Sequence, residues 1–290
     1  MLKGRKPELV RPQKPKLIVS GQSGTGKTFF ALDFEKPYFI DCEGGATREQ
    51  YKDKLIKSGG LYMGKEDGSQ DFATVIQQFK ELATTKHPYK TVVVDSFSKL
   101  YNLEAAKAEE RIGNDFGKDK REANKPTRQL VRWIEAIDCT VLLICHKKDK
   151  WEGTGNNRSI VGTTFDGWEK LEYDLDLWLE AQKAGKNYTF TVKKSRVQDF
   201  IVGNSFPLDY ETFCKLYGKE IIDRETEAVI LSTVEQIQQI KDLLERVKVE
   251  DDWEEKCFTK AGVDSWDQMT AEQVQKAIDH LNKKLKGETK

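Results

Sequence analysis

The chain has 290 residues, 38% of them hydrophobic and 33% charged, and its 48 Lys and Arg balance 48 Asp and Glu. That length supports one large domain with a smaller one beside it, and the apolar fraction is sufficient for a packed core. No apolar run approaches the ~18 residues of a membrane span and no basic-apolar-small signal opens the chain, so no membrane partner is expected. Five cysteines without a C-x-x-C pair form neither a disulfide nor a zinc framework, which fits a reducing cytoplasm. Charge is unevenly placed: residues 223–290 hold 11 Lys and Arg against 16 Asp and Glu, leaving 37 against 32 in the rest. Neither part is a polycation, so charge alone does not point to nucleic acid.

In chain order, residues 1–14 form a short basic arm containing Pro7 and Pro12, too brief to fold alone. An apolar strand follows over 16–20 and runs directly into Gly21, Gln22, Ser23, Gly24, Thr25, Gly26, Lys27 and Thr28. This fills the pattern G-x-x-x-x-G-K-[ST]: glycines let successive backbone N–H groups face phosphates, Lys27 reaches the outer phosphates, and the Thr28 hydroxyl ligates Mg²⁺. A helix starting at the loop would add its N-terminal dipole. ATP and Mg²⁺ are the ligands this motif implies.

Further apolar strands are predicted at 37–41, 91–95 and 140–145, with helices over 72–83 and 97–112 between them. Short Val/Ile/Leu runs alternating with helices indicate an α/β fold with a mostly parallel central sheet. Residues 175–180 and 188–193, separated by a turn containing Gly185, read as an appended β-hairpin. From Ser232 the pattern becomes helical. One capping box is predicted at Ser232 and Glu235 and another at Thr270 and Gln273, with apolar faces running through Val234 to Val247 and Val274 to Leu285. Residues 229–286 therefore read as a small acidic helical domain joined by 218–228 to a core spanning 15–222.

The strand 91–95 ends in Asp95, a carboxylate placed to support Mg²⁺. Ser96 follows it, where many AAA-type ATPases carry the glutamate that activates water. Glu43, at the end of the neighbouring strand, is the candidate base, because carboxyl ends of adjacent parallel strands converge; the alternative is a solvated turn residue before Gly44 and Gly45.

The order of phosphate loop, Phe-Ile-Asp-x-Glu, apolar strand with Asp-Ser, and apolar strand with a polar terminal residue resembles the RecA-type P-loop ATPase core over roughly residues 15–200. It is similar to the small RecA-like ATPases of bacteriophages in the ATP-dependent single-strand annealing and recombination class (Sak-type). The resemblance implies phosphate and Mg²⁺ binding by Lys27 and Thr28, a catalytic Glu43, a metal-supporting Asp95 and a γ-phosphate sensor at His146. The glycine-rich segment after His146 is then the counterpart of a DNA-binding loop. Its Lys147, Lys148, Lys150, Trp151, Arg158 and Phe165 interleave cations with rings, which suits phosphates and unstacked bases. Asp149, Glu152, Asp166 and Glu169 nearly cancel that charge, and Trp168 with Leu171 also reads as core.

Lys194 and Arg196 match a basic pair that RecA-type filaments present to the ATP of a neighbouring subunit; the alternative is a solvated strand end. The N-terminal arm is too brief to be a separate folded domain, so classical strand exchange and long filaments are not implied. The function expected is a DNA-stimulated ATPase that binds single-stranded DNA and promotes annealing or homologous recombination in phage replication within the bacterial host cytoplasm. Expected partners are further copies in a ring or filament and a single-strand binding protein at the C-terminal domain. The alternative is a nucleotide-dependent loader or switch acting on a replication protein. A small-molecule kinase is disfavoured because no arginine-rich lid follows the core.

Overall fold

The computed structural model describes residues 12–45, 48–113, 117–153, 158–261 and 263–286, apart from the Asp119 side chain. Its centre is β1 (Lys16–Gly21), buried along its whole length. Parallel neighbours flank it: β5 (Thr140–Glu152) on one side and β7 (Leu177–Ala184) on the other. Beyond β5 lie β4 (Thr91–Asp95), β2 (Pro37–Asp41) and a short edge strand β3 (Leu61–Met63), all parallel. Beyond β7 the sheet turns antiparallel through β8 (Asn187–Ser195) and β9 (Ser205–Pro207). Finally, β6 (Ser159–Phe165) pairs antiparallel with the second half of β5.

The apolar runs are continuous because the parallel strands are covered on both faces. Leu17 and Val19 point into one core with Phe30, Phe34 and Phe213; Ile18 points into the other with Val92, Val94 and Phe97. The first face carries α1 (Lys27–Ala31), α2 (Glu49–Lys57), α7 (Tyr210–Tyr217) and α8 (Lys219–Ile222). The second carries α3 (Phe72–Thr84), α4 (Phe97–Ile112) and α5 (Lys118–Ala136), with α6 (Leu171–Asp174) leading into β7. In α3 the side chain of Asp71 accepts the Thr74 N–H at 2.9 Å, and Phe72, Val75, Phe79 and Leu82 are buried at the predicted spacing.

Three expectations are corrected. The segment after His146 is not a long loop: β5 continues to Glu152 and returns as β6, forming an antiparallel hairpin. Both its faces are largely polar, so apolar alternation gave no sign of it. The C-terminal capping box lies one residue later, at Thr233 and Gln236, because Ser232 Oγ donates instead to the Trp266 carbonyl at 2.8 Å. The basic arm is also shorter than 1–14: Lys14 is buried and donates to the Arg224 carbonyl, while Arg224 donates to the Pro12 carbonyl at 2.8 Å. Residues 1–11 of that arm lie outside the described residues.

The C-terminal helices α9 (Val234–Arg246), α10 (Trp253–Ala261) and α11 (Ala271–Leu285) close around a cluster of their own that includes Ile240, Trp266, Val274 and Ile278. The Thr270–Gln273 capping box forms as predicted, whereas Val234 and Leu285, assigned to apolar faces, are exposed. Arg132 of α5 reaches across to Gln268 Oε1 at 3.1 Å, and the Val229 N–H donates to the Ala83 carbonyl at 2.7 Å. Among the described residues no helix is long and apolar enough to cross a membrane.

Candidate nucleotide site and adjoining groove

The loop between β1 and α1 curls because two glycines permit it. Gly26 has φ 86°, a left-handed conformation that side chains resist. A Cβ at Gly21 would meet the Ala181 carbonyl at 2.6 Å, so only glycine lets the loop pass β7. The helix that follows has only five residues; the expected dipole contribution is accordingly small, and the loop N–H groups carry the anion-binding capacity.

The loop opens into a cavity of about 510 Å³ lined by residues 21–29 together with Glu43, Asp95, His146 and Lys147. Lys27 is buried, and its ammonium donates to the loop carbonyls of Gly21 (2.9 Å) and Gln22 (2.7 Å). Burial pulls its pKa down, against the opposing pull of Asp95 and Glu43. Thr28 Oγ1 donates to Asp95 Oδ2 at 2.6 Å. Burial pushes the Asp95 carboxyl up to about 6, despite the Thr28 hydrogen bond, with Glu43 and Asp41 adding to the rise.

Glu43 sits at the mouth of this cavity within a small network. Its Oε1 accepts from Ser96 Oγ at 2.7 Å and lies 2.5 Å from His146 Nε2. Ser96 Oγ has one proton and gives it to Glu43, so Nε2 of His146 is the protonated ring nitrogen in this arrangement. Ser96 Oγ also accepts the Lys99 N–H at 3.2 Å, capping α4. Asp41 holds the Glu43 turn from below: its Oδ1 accepts the N–H groups of Glu43 (3.1 Å) and Gly44 (2.7 Å), while Tyr62 donates to Oδ2 at 3.1 Å. Sequence reasoning missed Ser96 and Asp41 as supports, although serine at a strand-to-helix junction is a recognisable cap. It also missed Arg48 and Tyr51, which line the same cavity from the N-terminal end of α2.

His146 ties the site to the hairpin. Its N–H donates to Ser98 Oγ at 2.8 Å, its carbonyl accepts from the Asp166 N–H at 2.8 Å, and Ser98 Oγ donates to the Asp166 carbonyl at 2.5 Å. From His146, β5 passes out of the nucleotide cavity into a second, larger groove of about 950 Å³ that contains Lys148, Lys150, Trp151 and Arg158. Of the predicted DNA-contact residues, these four are brought together.

Two others are not. Phe165 is fully buried with its ring edge-on to Trp178, centroids 5.1 Å apart, so its faces are unavailable to a base. Lys147 lines the nucleotide cavity and pairs at 2.8 Å with Glu180. Burial raises that carboxyl, yet hydrogen bonds from Lys147 and Gln182 hold it below the ordinary carboxylate value. Trp168 is core, as its alternative reading had it.

Lys194 and Arg196 lie far along β8 from the phosphate loop. Lys194 is in register with Trp178, which pairs with Ile18, whereas the loop follows Gly21 at the opposite end of β1. Lys194 donates to the Leu175 carbonyl, and Arg196 to the carbonyls of Tyr173 and Asp174. Neither cation touches the chain's own nucleotide cavity.

The donor set fits a nucleoside triphosphate with magnesium: curled N–H groups, a buried ammonium and a hydroxyl–carboxylate pair. Among the described residues no cluster of three or more His, Cys, Asp or Glu is arranged to hold a metal alone. An ion here would draw most of its ligands from phosphate and water, as Mg²⁺ does.

These features define a P-loop ATPase of the α/β type. A family model described as an AAA domain matches residues 13–200, and the chain belongs to that family. Among solved structures it is similar to the RadB recombinase, with 18% identity, a TM-score of 0.44, and coverage of 66% of this chain and 84% of that one. No curated protein matches it.

Proposed function

We propose that this chain is a RecA-like ATPase that binds single-stranded DNA and promotes annealing or homologous recombination in phage DNA replication, its turnover stimulated by the strand. The observation that carries the reading is the continuity of β5. Its midpoint presents His146 to Glu43 in the nucleotide cavity, and its outer half presents Lys148, Lys150 and Trp151 to the adjoining groove.

In this reading Lys27 leaves its two loop carbonyls and neutralises phosphate charge. Thr28, backed by Asp95, would hold Mg²⁺, which supplies electrostatic stabilisation of the transferring phosphoryl group. Glu43 takes the proton of the attacking water. Ser96 and His146 both engage the same Glu43 oxygen, so a shift of β5 when the hairpin engages a strand would loosen the His146 contact and thereby change the rate. Lys194 and Arg196 would act on the ATP of a neighbouring copy in a ring or filament.

A second reading, a nucleotide-dependent loader or switch acting on a replication protein, draws support from the acidic C-terminal helices with their separate core. Under the first reading the same helices contact a single-strand binding protein. ATP turnover measured with and without single-stranded DNA distinguishes the two: stimulation supports the first, and an unchanged rate supports the second.

A further inference from the structure

The groove beside the hairpin is also lined by residues that none of the expected DNA contacts includes. Lys120 near the start of α5 and Lys170 and Tyr173 at α6 share the cavity with Lys148, Lys150, Trp151 and Arg158, as do Lys193 and the buried Trp178. Counting all its lining residues, the groove holds six Lys and Arg against three Asp and Glu. Tyr173 is 71% exposed and Trp151 46%, unusually open for such large rings. Two of the hairpin cations sit in ion pairs, Lys148 at 3.3 Å from the half-buried Asp166 and the exposed Lys150 at 3.6 Å from Glu152, while the Arg158 guanidinium lies over the Trp151 ring at 5.2 Å. Such ion pairs contribute little and exchange readily for phosphate.

We propose that a single nucleic-acid strand is clamped between two walls of this groove, Trp151 of the β5–β6 hairpin stacking on bases from one side and Tyr173 from the other, with Lys120 and Lys170 holding phosphates. Nonspecific single-strand sites have this composition, a cationic track with rings for successive bases. The Tyr173 wall is held in place. Arg196 donates to the Tyr173 and Asp174 carbonyls and Lys194 to the Leu175 carbonyl, so the basic pair anchors the backbone that presents the ring. The inference rests on the single-strand-binding reading above and extends it to a wall contributed by α5 and α6.

The test is fluorescence anisotropy of labelled oligo(dT) of about 16 nucleotides, within the span of common single-strand sites, titrated with the full chain at several salt concentrations. Tyr173→Ala should lose roughly 5- to 100-fold in affinity, the range for one stacking platform, with an unchanged salt slope. Tyr173→Phe should bind like the wild type. Lys120→Ala/Lys170→Ala should flatten the slope of log affinity against log salt by about 1.4, two phosphates' worth for a single strand. Unchanged melting and ATP-analogue affinity in each variant show that the fold is intact. If Trp151→Ala weakens binding while the Tyr173 and Lys120/Lys170 variants match the wild type, the strand lies on the hairpin alone and the clamp is overturned, with the functional reading intact. If the wild type binds no oligo(dT), both fall.

Discussion

Glu43 Oε1 lies 2.5 Å from His146 Nε2 although the two residues are 103 positions apart in sequence. The contact joins the turn after β2 to the point where β5 leaves the nucleotide cavity, and Ser96 Oγ completes it at 2.7 Å from the same oxygen. A carboxylate held by two neighbours at the cavity mouth is positioned for proton transfer. Glu43→Gln should therefore keep ATP binding and lose on the order of 10²-fold or more in turnover, the contribution of a positioned base. Lys27→Ala should instead lose nucleotide affinity. Isothermal titration with a non-hydrolysable analogue, alongside steady-state phosphate release, separates the two, and full turnover by Glu43→Gln would remove it from the mechanism.

Asp95 gives a prediction with a defined pH window. Its folded pKa is raised from 3.8 to about 6, chiefly by burial. The unfolded chain ionises first as pH rises, so the stability that protonation confers is fully present below about pH 4 and is lost as pH passes through about 6. Asp95→Asn keeps an oxygen for Thr28 and carries no charge. It should stabilise the nucleotide-free chain at pH 7 by up to about 3 kcal/mol, at 1.36 kcal/mol per pKa unit. Urea unfolding at pH 4, 5, 6 and 7 checks this. A gap between variant and wild type that fails to narrow toward pH 4 would show that Asp95 is not the group responsible.

Lys194 and Arg196 are assigned two tasks that mixing can separate. If they act on a neighbouring copy's ATP, Lys194→Ala/Arg196→Ala should bind nucleotide at its own intact loop yet lose stimulated hydrolysis. Adding Lys27→Ala protein, with its cations intact, should restore part of the activity. Mixed oligomers that form without rescue leave only the anchoring of the Tyr173–Leu175 carbonyls.

The phosphate loop, the strands at 37–41 and 91–95 and the helix at 97–112 were legible in the sequence, because buried parallel strands and a spacing-defined motif are local signals. Asp95 followed from its strand end. Ser96 and Asp41 were invisible as supports of Glu43, since what they do depends on β2, β4 and β5 lying side by side. The β5–β6 hairpin was read as a loop because strands solvated on both faces have no apolar alternation. Helix α5 escaped notice because Pro126 interrupts a Lys/Arg-rich stretch whose buried residues, Ala123, Leu130 and Ile134, are sparse. Phe165 was misassigned for a related reason: it ends β6, a strand the sequence did not reveal, and is buried against Trp178.

The C-terminal helices should unfold as a unit of their own. Trp266 is buried in their core and donates Nε1–H to Glu254 at 2.7 Å, so Trp266→Ala should cost that unit about 3–5 kcal/mol. Among the described residues the core sheet contributes none to that cluster, and nucleotide affinity should be unchanged. Differential scanning calorimetry with and without an ATP analogue checks this: the analogue should raise only the core transition. A single transition that shifts as a whole with ligand would mean that the helices and the sheet unfold together.

The most direct measurement of the central claim is ATP turnover by the full chain with and without oligo(dT), repeated from low to high salt and on His146→Ala. Coupling along β5 predicts a several-fold higher rate with the strand, loss of that stimulation as salt displaces phosphate contacts, and a His146→Ala protein whose turnover, lowered by loss of a Glu43 contact, is the same with and without DNA. A rate indifferent to single-stranded DNA at every salt concentration in the wild type would contradict the account.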